Sequence, residues 1–246
     1  MPLLLERLDA LSAGDDVIGR VLDLVSAVCR RSAYLSLLVQ NPDASKRMLD
    51  LFTISKRVAE TVTRFPALLD ELIDPSLGAY PPTTKDIQRG VQRVLDKSND
   101  TETALQNLNY FKQVISLRVA VALLKSTISA FEASSALSQL AQSQVQAVLS
   151  LSRHEVESRH GQLPGPGLAV IAYGSLGADA PGFDSDLDLI FLYERTSATS
   201  DGARPLSAER YHTNVARRML SLMSATTPSG RLYSIDARLR PNGRSG

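Results

Sequence analysis

The chain reads as α+β: a mostly helical N-terminal region, then a smaller α/β domain with a short mixed sheet. Three observations predict this. Apolar residues recur at three and four positions through the first 160 residues or so, with almost no period-two alternation. The stretch Gln162-Leu-Pro-Gly-Pro-Gly167 then breaks the pattern with two prolines and two glycines. Beyond it, compact apolar runs appear at 168–173, 187–193 and 231–237, with one helical segment between the last two. The division expected is therefore 1–161 for the helical region and 162–246 for the domain that follows.

Taken in order, Val21, Val25 and Val28 share one helical face. Cys29 at that spacing reads as a small buried hydrophobe beside Val25 and Leu22. Asn41-Pro42 opens a helix through Leu51, with proline at an early position. Phe65 to Pro75 is a short amphipathic helix bracketed by prolines, and Gly78 to Thr84 is a loop. Helices follow over Asp86–Leu95, Glu102–Leu124 and Ser135–His154. In the second part, 195–206 is a polar loop and Ser207 is a plausible N-cap. Tyr211, Val215, Leu222 and Met223 make the apolar face of the helix it opens, which leaves His212 exposed.

Composition narrows the class. A hydrophobic fraction of 43% supports real cores, and a net charge of +1 argues neither for nor against nucleic acid. One cysteine excludes an internal disulfide and a cysteine-based zinc site. No apolar run approaches the roughly 20 residues of a membrane span, and Met1 to Leu11, with Glu6 and Asp9, does not read as a signal peptide. A cytoplasmic location is expected, with no nucleic acid and no membrane as partner. His154 and His160 lie six residues apart, off a common helical face, and read as macrodipole partners rather than metal ligands.

The chemistry concentrates between Gly174 and Asp188. Gly174 and Ser175 follow the apolar run ending at Tyr173; ten residues later come Asp186, Leu187 and Asp188, at the head of the next run. A glycine there allows a tight turn and close approach of a ligand. A short helix starting there would turn free N–H groups toward a phosphate. Residues i and i+2 of a strand share a face, so Asp186 and Asp188 point into one site. Asp236, Arg238 and Arg240 alternate with apolar residues and share a face of the last run. If that strand neighbours the Asp186–Asp188 strand, three carboxylates meet. Their mutual repulsion is offset by a divalent cation, and hard oxygen ligands with phosphate oxygens suit Mg²⁺. Two such ions about 3.5–4 Å apart could clamp an in-line displacement. Asp184, beside Ser185, reads instead as a turn residue, and Arg217-Arg218 as a solvated face.

These residues carry a resemblance. Gly174-Ser175-x10-Asp186-x-Asp188 is similar to the signature of the DNA polymerase β-like nucleotidyltransferase superfamily. Ala172-Tyr-Gly-Ser-Leu-Gly177, Phe183-Asp-Ser-Asp-Leu-Asp-Leu-Ile-Phe-Leu192 and Ile235-Asp-Ala-Arg-Leu-Arg-Pro-Asn-Gly243 resemble the glutamine synthetase adenylyltransferase family more closely. Arg31-Ser-Ala-Tyr-Leu-Ser-Leu-Leu, Arg64 to Asp74, and Phe111-Lys112 with Leu117-Arg118 resemble the helical region before that family's C-terminal catalytic copy. The resemblance implies Mg²⁺-dependent transfer of AMP from ATP to a tyrosine of glutamine synthetase. It implies Asp186 and Asp188 as Mg²⁺ ligands, and Asp236 as metal ligand or general base. Gly174 and Ser175 would hold the triphosphate, and Arg238 and Arg240 would contact phosphate or the protein substrate. Glutamine synthetase is the implied partner, with a nitrogen regulatory signalling protein as a second.

The family's other copy removes AMP by phosphorolysis, so that activity is the nearest rival; a different superfamily enzyme and an inactive partner-binding fragment are the others. Two departures stand out. Ser175 occupies a position where the family usually has Lys. The chain also ends at Gly246, directly after the Arg-rich motif, so the nucleotidyltransferase domain is expected to be incomplete.

Overall fold

The computed structural model describes residues 14–236. Helices α1 (Asp15–Val28), α2 (Ser32–Gln40), α3 (Pro42–Ile54) and α4 (Lys56–Arg64) come first. A 3₁₀ helix (Pro66–Ile73) and helices α5 (Thr84–Lys97), α6 (Thr101–Leu124) and α7 (Ala130–His160) follow. The remainder is β1 (Ala169–Tyr173), the one-turn helix α8 (Gly174–Gly177), β2 (Leu187–Leu192), α9 (Ala208–Ser224) and β3 (Ile235–Asp236). No helix among the described residues is long and apolar enough to cross a membrane.

The helix boundaries have local causes. Pro42 stands in the first turn of α3, where its missing N–H costs nothing. Thr83 and Asp86 form a reciprocal capping box at α5. α7 runs 31 residues, well beyond the segment expected at Ser135–His154. It stops at Gly161, whose φ of +77° ends the helix in the left-handed region while its N–H still reaches Glu157 O at 2.8 Å. The Pro66–Ile73 segment is 3₁₀ rather than α: eight residues confined between prolines favour the tighter i→i+3 turn. Ser207 precedes α9 as expected, but its side chain makes no cap hydrogen bond.

Packing divides the described residues into two compact units: those up to Pro81 with 116–129, and 82–115 with those from Ala130 onward. The change from helices to strands falls elsewhere, between His160 and Ala169. In the first unit Leu24, Met48, Phe52, Leu68, Leu69, Leu72 and Leu77 are buried side chains from three elements and the loop that follows them. Arg118 joins them from α6, with its guanidinium on Glu71 at 2.6 Å. Cys29 is exposed, and its thiol donates to Ser26 O at 3.2 Å. It directly follows α1, past the face whose buried positions are Val17, Val21, Leu24 and Val28, which is why the expected burial fails.

The second unit holds the sheet, in the order β1-β2-β3. β1 pairs antiparallel with β2, and β2 pairs parallel with β3. One face is apolar and covered: Val170, Ala172, Leu187, Leu189, Phe191 and Ile235 pack with Val148 of α7 and with Met219, Leu222 and Met223 of α9. Burial of that face holds the strands in register, because a one-residue slip would turn every apolar side chain outward. The other face carries Ile171, Tyr173, Asp188, Ile190 and Asp236. Among the described residues of the predicted run 231–237, Ile235 and Asp236 pair, and Arg231 to Ser234 approach as irregular backbone rather than strand.

His212 is buried, at 3% exposure, where the α9 pattern predicted exposure. Its ring stacks on Tyr193 at 5.0 Å and meets Tyr211 edge-on at 5.8 Å. The end of β2 covers the flank of α9 on which His212 sits, and burial pushes its pKa down, with Arg153 adding to the effect.

α9 is tied to α7 by Arg218, which donates Nε and Nη2 to the two oxygens of Glu155 at 2.6 and 2.8 Å. Those hydrogen bonds hold the Glu155 carboxyl below its usual pKa. A depressed carboxylate stabilises the fold above its unfolded pKa, and the effect disappears as pH falls through the folded pKa. Glu155→Gln should therefore lower the melting temperature near neutrality, with the gap to the parent closing in acid. Melting scans between about pH 3 and pH 7 read this; a gap that stays constant to the acid end would contradict it.

Candidate functional site

The site is built at the end of the sheet where β1 stops and β2 starts. Leu187 and Leu189 are buried and fix β2 from below, so Asp188 between them faces the opposite side. Asp188 lies directly across from Tyr173 on one side and from Asp236 on the other. Neighbouring strands run about 4.8 Å apart, so the register sets Asp188 and Asp236 side by side on the uncovered face. Leu187 N–H donates to Ser234 O at 2.9 Å and helps fix that parallel register. Asp186 is exposed and stands one residue before β2, delivered by a turn in which Gly182 N–H donates to Ser185 Oγ at 2.8 Å.

Gly174 follows β1 with φ +56°. A Cβ on it would lie 2.0 Å from Asp188 Oδ2. Glycine is thus required twice, for a left-handed backbone and for the room in which the Asp188 carboxylate lies. Ser175 is the second residue of α8, and Leu176 is buried and pins that turn to the core. Ala178 N–H donates to Gly174 O at 3.0 Å, and Ala180 N–H to Ser175 O at 2.9 Å. Ser135 of α7 donates to Asp179 Oδ2 at 3.3 Å behind the turn.

The structure therefore brings Gly174, Ser175, Asp186, Asp188 and Asp236 to one end of the sheet. Arg238 and Arg240 lie outside the described residues. Among the described residues no three His, Cys, Asp or Glu side chains are gathered so as to hold a metal ion. Mg²⁺ ordinarily takes one or two carboxylates and fills its shell with water and substrate phosphate oxygens. The adjacent Asp188 and Asp236 fit that requirement as hard oxygen donors.

Sequence reasoning assigned no role to Lys112. From α6 its ammonium donates to Leu232 O and stands 4.1 Å from the Tyr233 ring centroid. Burial pulls its pKa down to about 8, and the Asp184 carboxylate pushes back upward. Burial likewise drives the Tyr233 phenol well above its usual range. The available signal was a lysine set in a strongly apolar helix, directly after Phe111.

Fold and site together are α+β, with a Gly-Ser turn set against the first of two neighbouring acidic strands. The chain belongs to the glutamate-ammonia ligase adenylyltransferase family, whose profile it matches over residues 45–246, the whole site included. It is 41% identical over 248 residues to the bifunctional glutamine synthetase adenylyltransferase/adenylyl-removing enzyme of Xanthomonas campestris pv. campestris. It is 39% identical over 248 residues to the protein of that name from Stenotrophomonas maltophilia, and 38% over 256 residues to that from Pseudomonas syringae pv. tomato. Each match covers 100% of this chain and 26% of the relative, so the chain spans about a quarter of these relatives' length.

Proposed function

We propose that this chain carries the AMP-transferring centre of a glutamine synthetase adenylyltransferase: ATP donates AMP to a tyrosine hydroxyl of glutamine synthetase and pyrophosphate leaves. The observation that carries the reading is the register of Asp188 against Asp236, with Gly174 cleared to receive the Asp188 carboxylate. Asp186 and Asp188 are the residues that would hold Mg²⁺, with Asp236 as a further ligand or as the base. Bound there, the ion would neutralise the triphosphate and stabilise charge developing on its oxygens. Gly174 and Ser175 line the triphosphate's path. Ser175 supplies a hydroxyl and backbone N–H where the family usually has the charge of a Lys. A tyrosine hydroxyl keeps its proton to about pH 10, and Asp236, in the role of base, would accept it. Catalysis of this kind is positioning and charge stabilisation. Arg238 and Arg240 are assigned to phosphate or to the protein substrate, the reaction to the cytoplasm and to control of nitrogen assimilation. Of the two activities in the relatives' name, transfer is favoured by the resemblance of the helices at 30–120 to those before the family's C-terminal copy.

The complete protein, incubated with ATP labelled in the α-phosphate, Mg²⁺ and glutamine synthetase, should place label on a tyrosine of the synthetase. Label lost from pre-modified synthetase only when inorganic phosphate is added, with ADP as product, would assign the adenylyl-removing activity instead. Mg²⁺-independent synthetase binding without transfer would reduce the chain to a partner-binding fragment.

A further inference from the structure

We infer that Lys112 is a positioning residue for the site: it anchors the segment that carries Asp236 and sets that carboxylate against Asp188. The inference rests on the function proposed above and deepens it.

Among the described residues β3 pairs through Ile235 and Asp236, and its approach, Arg231 to Ser234, is irregular backbone. Lys112 acts on that approach. Its ammonium donates to the carbonyl of Leu232, a fully buried residue, and caps the face of Tyr233 from 4.1 Å. Two residues after Leu232, Ser234 O accepts from Leu187 N–H; two residues further on, Asp236 stands in register with Asp188. The same ammonium feels the carboxylate of Asp184, two residues before Asp186. One cation thus faces the lead-in to both acidic segments, from a helix far upstream of either in sequence.

An ammonium is an expensive group to place there. Desolvation works against its charge, and an unbranched apolar side chain would fill the same space without that cost. A methionine would leave the Leu232 carbonyl without the Lys112 donor. The gain from lysine lies in orientation, which core packing by itself does not supply.

Two measurements on the complete protein test this, with Lys112→Met and Lys112→Arg. Amide hydrogen exchange reads positioning without any need for activity. In Lys112→Met, exchange across residues 232–236 should rise about tenfold while Ala169–Tyr173 stays within about twofold of the parent. In kinetics, kcat for AMP transfer should fall about tenfold with the KM for ATP within about twofold, since orientation of Asp236 matters most as the transition state forms. Lys112→Arg, which keeps a buried cation and donors, should recover much of both. A parent that transfers no AMP would overturn the proposed function and leave the exchange experiment to decide the role of Lys112. Parent-like exchange at 232–236 in a folded Lys112→Met, or a uniform rise through the whole unit, would overturn the positioning role. Should Lys112→Met fail to fold, Lys112→Gln is read by the same two measurements and the same outcomes.

Discussion

The double substitution Asp186→Asn, Asp188→Asn should reduce AMP incorporation into glutamine synthetase by about 1,000-fold while leaving the protein folded. Removing one preorganised electrostatic group from a reacting centre costs about 100- to 1,000-fold in rate, and this pair acts on the same triphosphate. Asparagine matches aspartate in volume but carries no charge, so the loss isolates electrostatics from shape. Both side chains lie off the covered face: Asp186 is exposed, and Asp188 faces away from the core. Leu187 and Leu189 hold β2 from the other side and are untouched. The melting temperature should therefore stay within a few degrees of the parent, because surface changes rarely exceed about 0.5 kcal/mol. Incorporation of label at the parental rate would remove these residues from the mechanism and the assignment with them.

Gly174→Ala should be nearly as damaging through a different route. The added methyl would sit 2.0 Å from Asp188 Oδ2, far inside contact, and the backbone there has φ +56°. The left-handed conformation costs a non-glycine residue about 1–2 kcal/mol. The overlap must be relieved by moving either the Asp188 carboxylate or the turn that carries Ser175, and both belong to the site. AMP transfer should fall about 100-fold, as expected when a reacting geometry is displaced by an ångström or so. Stability should fall too, which separates this variant from the asparagine pair. Adding Asp188→Ala to Gly174→Ala removes the overlap but not the backbone cost, so denaturation midpoints should recover in part. Transfer within about threefold of the parent in Gly174→Ala would show that the carboxylate needs no such clearance.

Much of this was legible in the residues themselves. The helical run, the break at Gln162–Gly167 and the first two strands follow from periodicity and punctuation, which are local properties of the chain. The closeness of Asp236 to Asp188 was conditional, because no pattern within a strand names its neighbour; the register with Leu187 and Asp188 supplies it. Failures have the same root. Cys29 and His212 were assigned by their own helix's spacing, and exposure was decided by where the helix ended and by Tyr193 across the unit. The run 231–237 has strand composition, yet only its last described residues find a partner. Lys112 gave no periodic signal at all: its significance lies in contacts to Leu232 and Tyr233, far along the chain.

The order of the strands also bears on when the centre can first exist. β1 and β2 are joined by a short connection and pair with each other, so they can come together soon after both have been synthesised. β3 joins β2 only after the polar loop and α9 have been made, and pairings between distant segments form more slowly than local ones. A nascent chain thus has Asp186 and Asp188 well before Asp236 can stand beside them. A partly made chain holds the acidic pair without its neighbour.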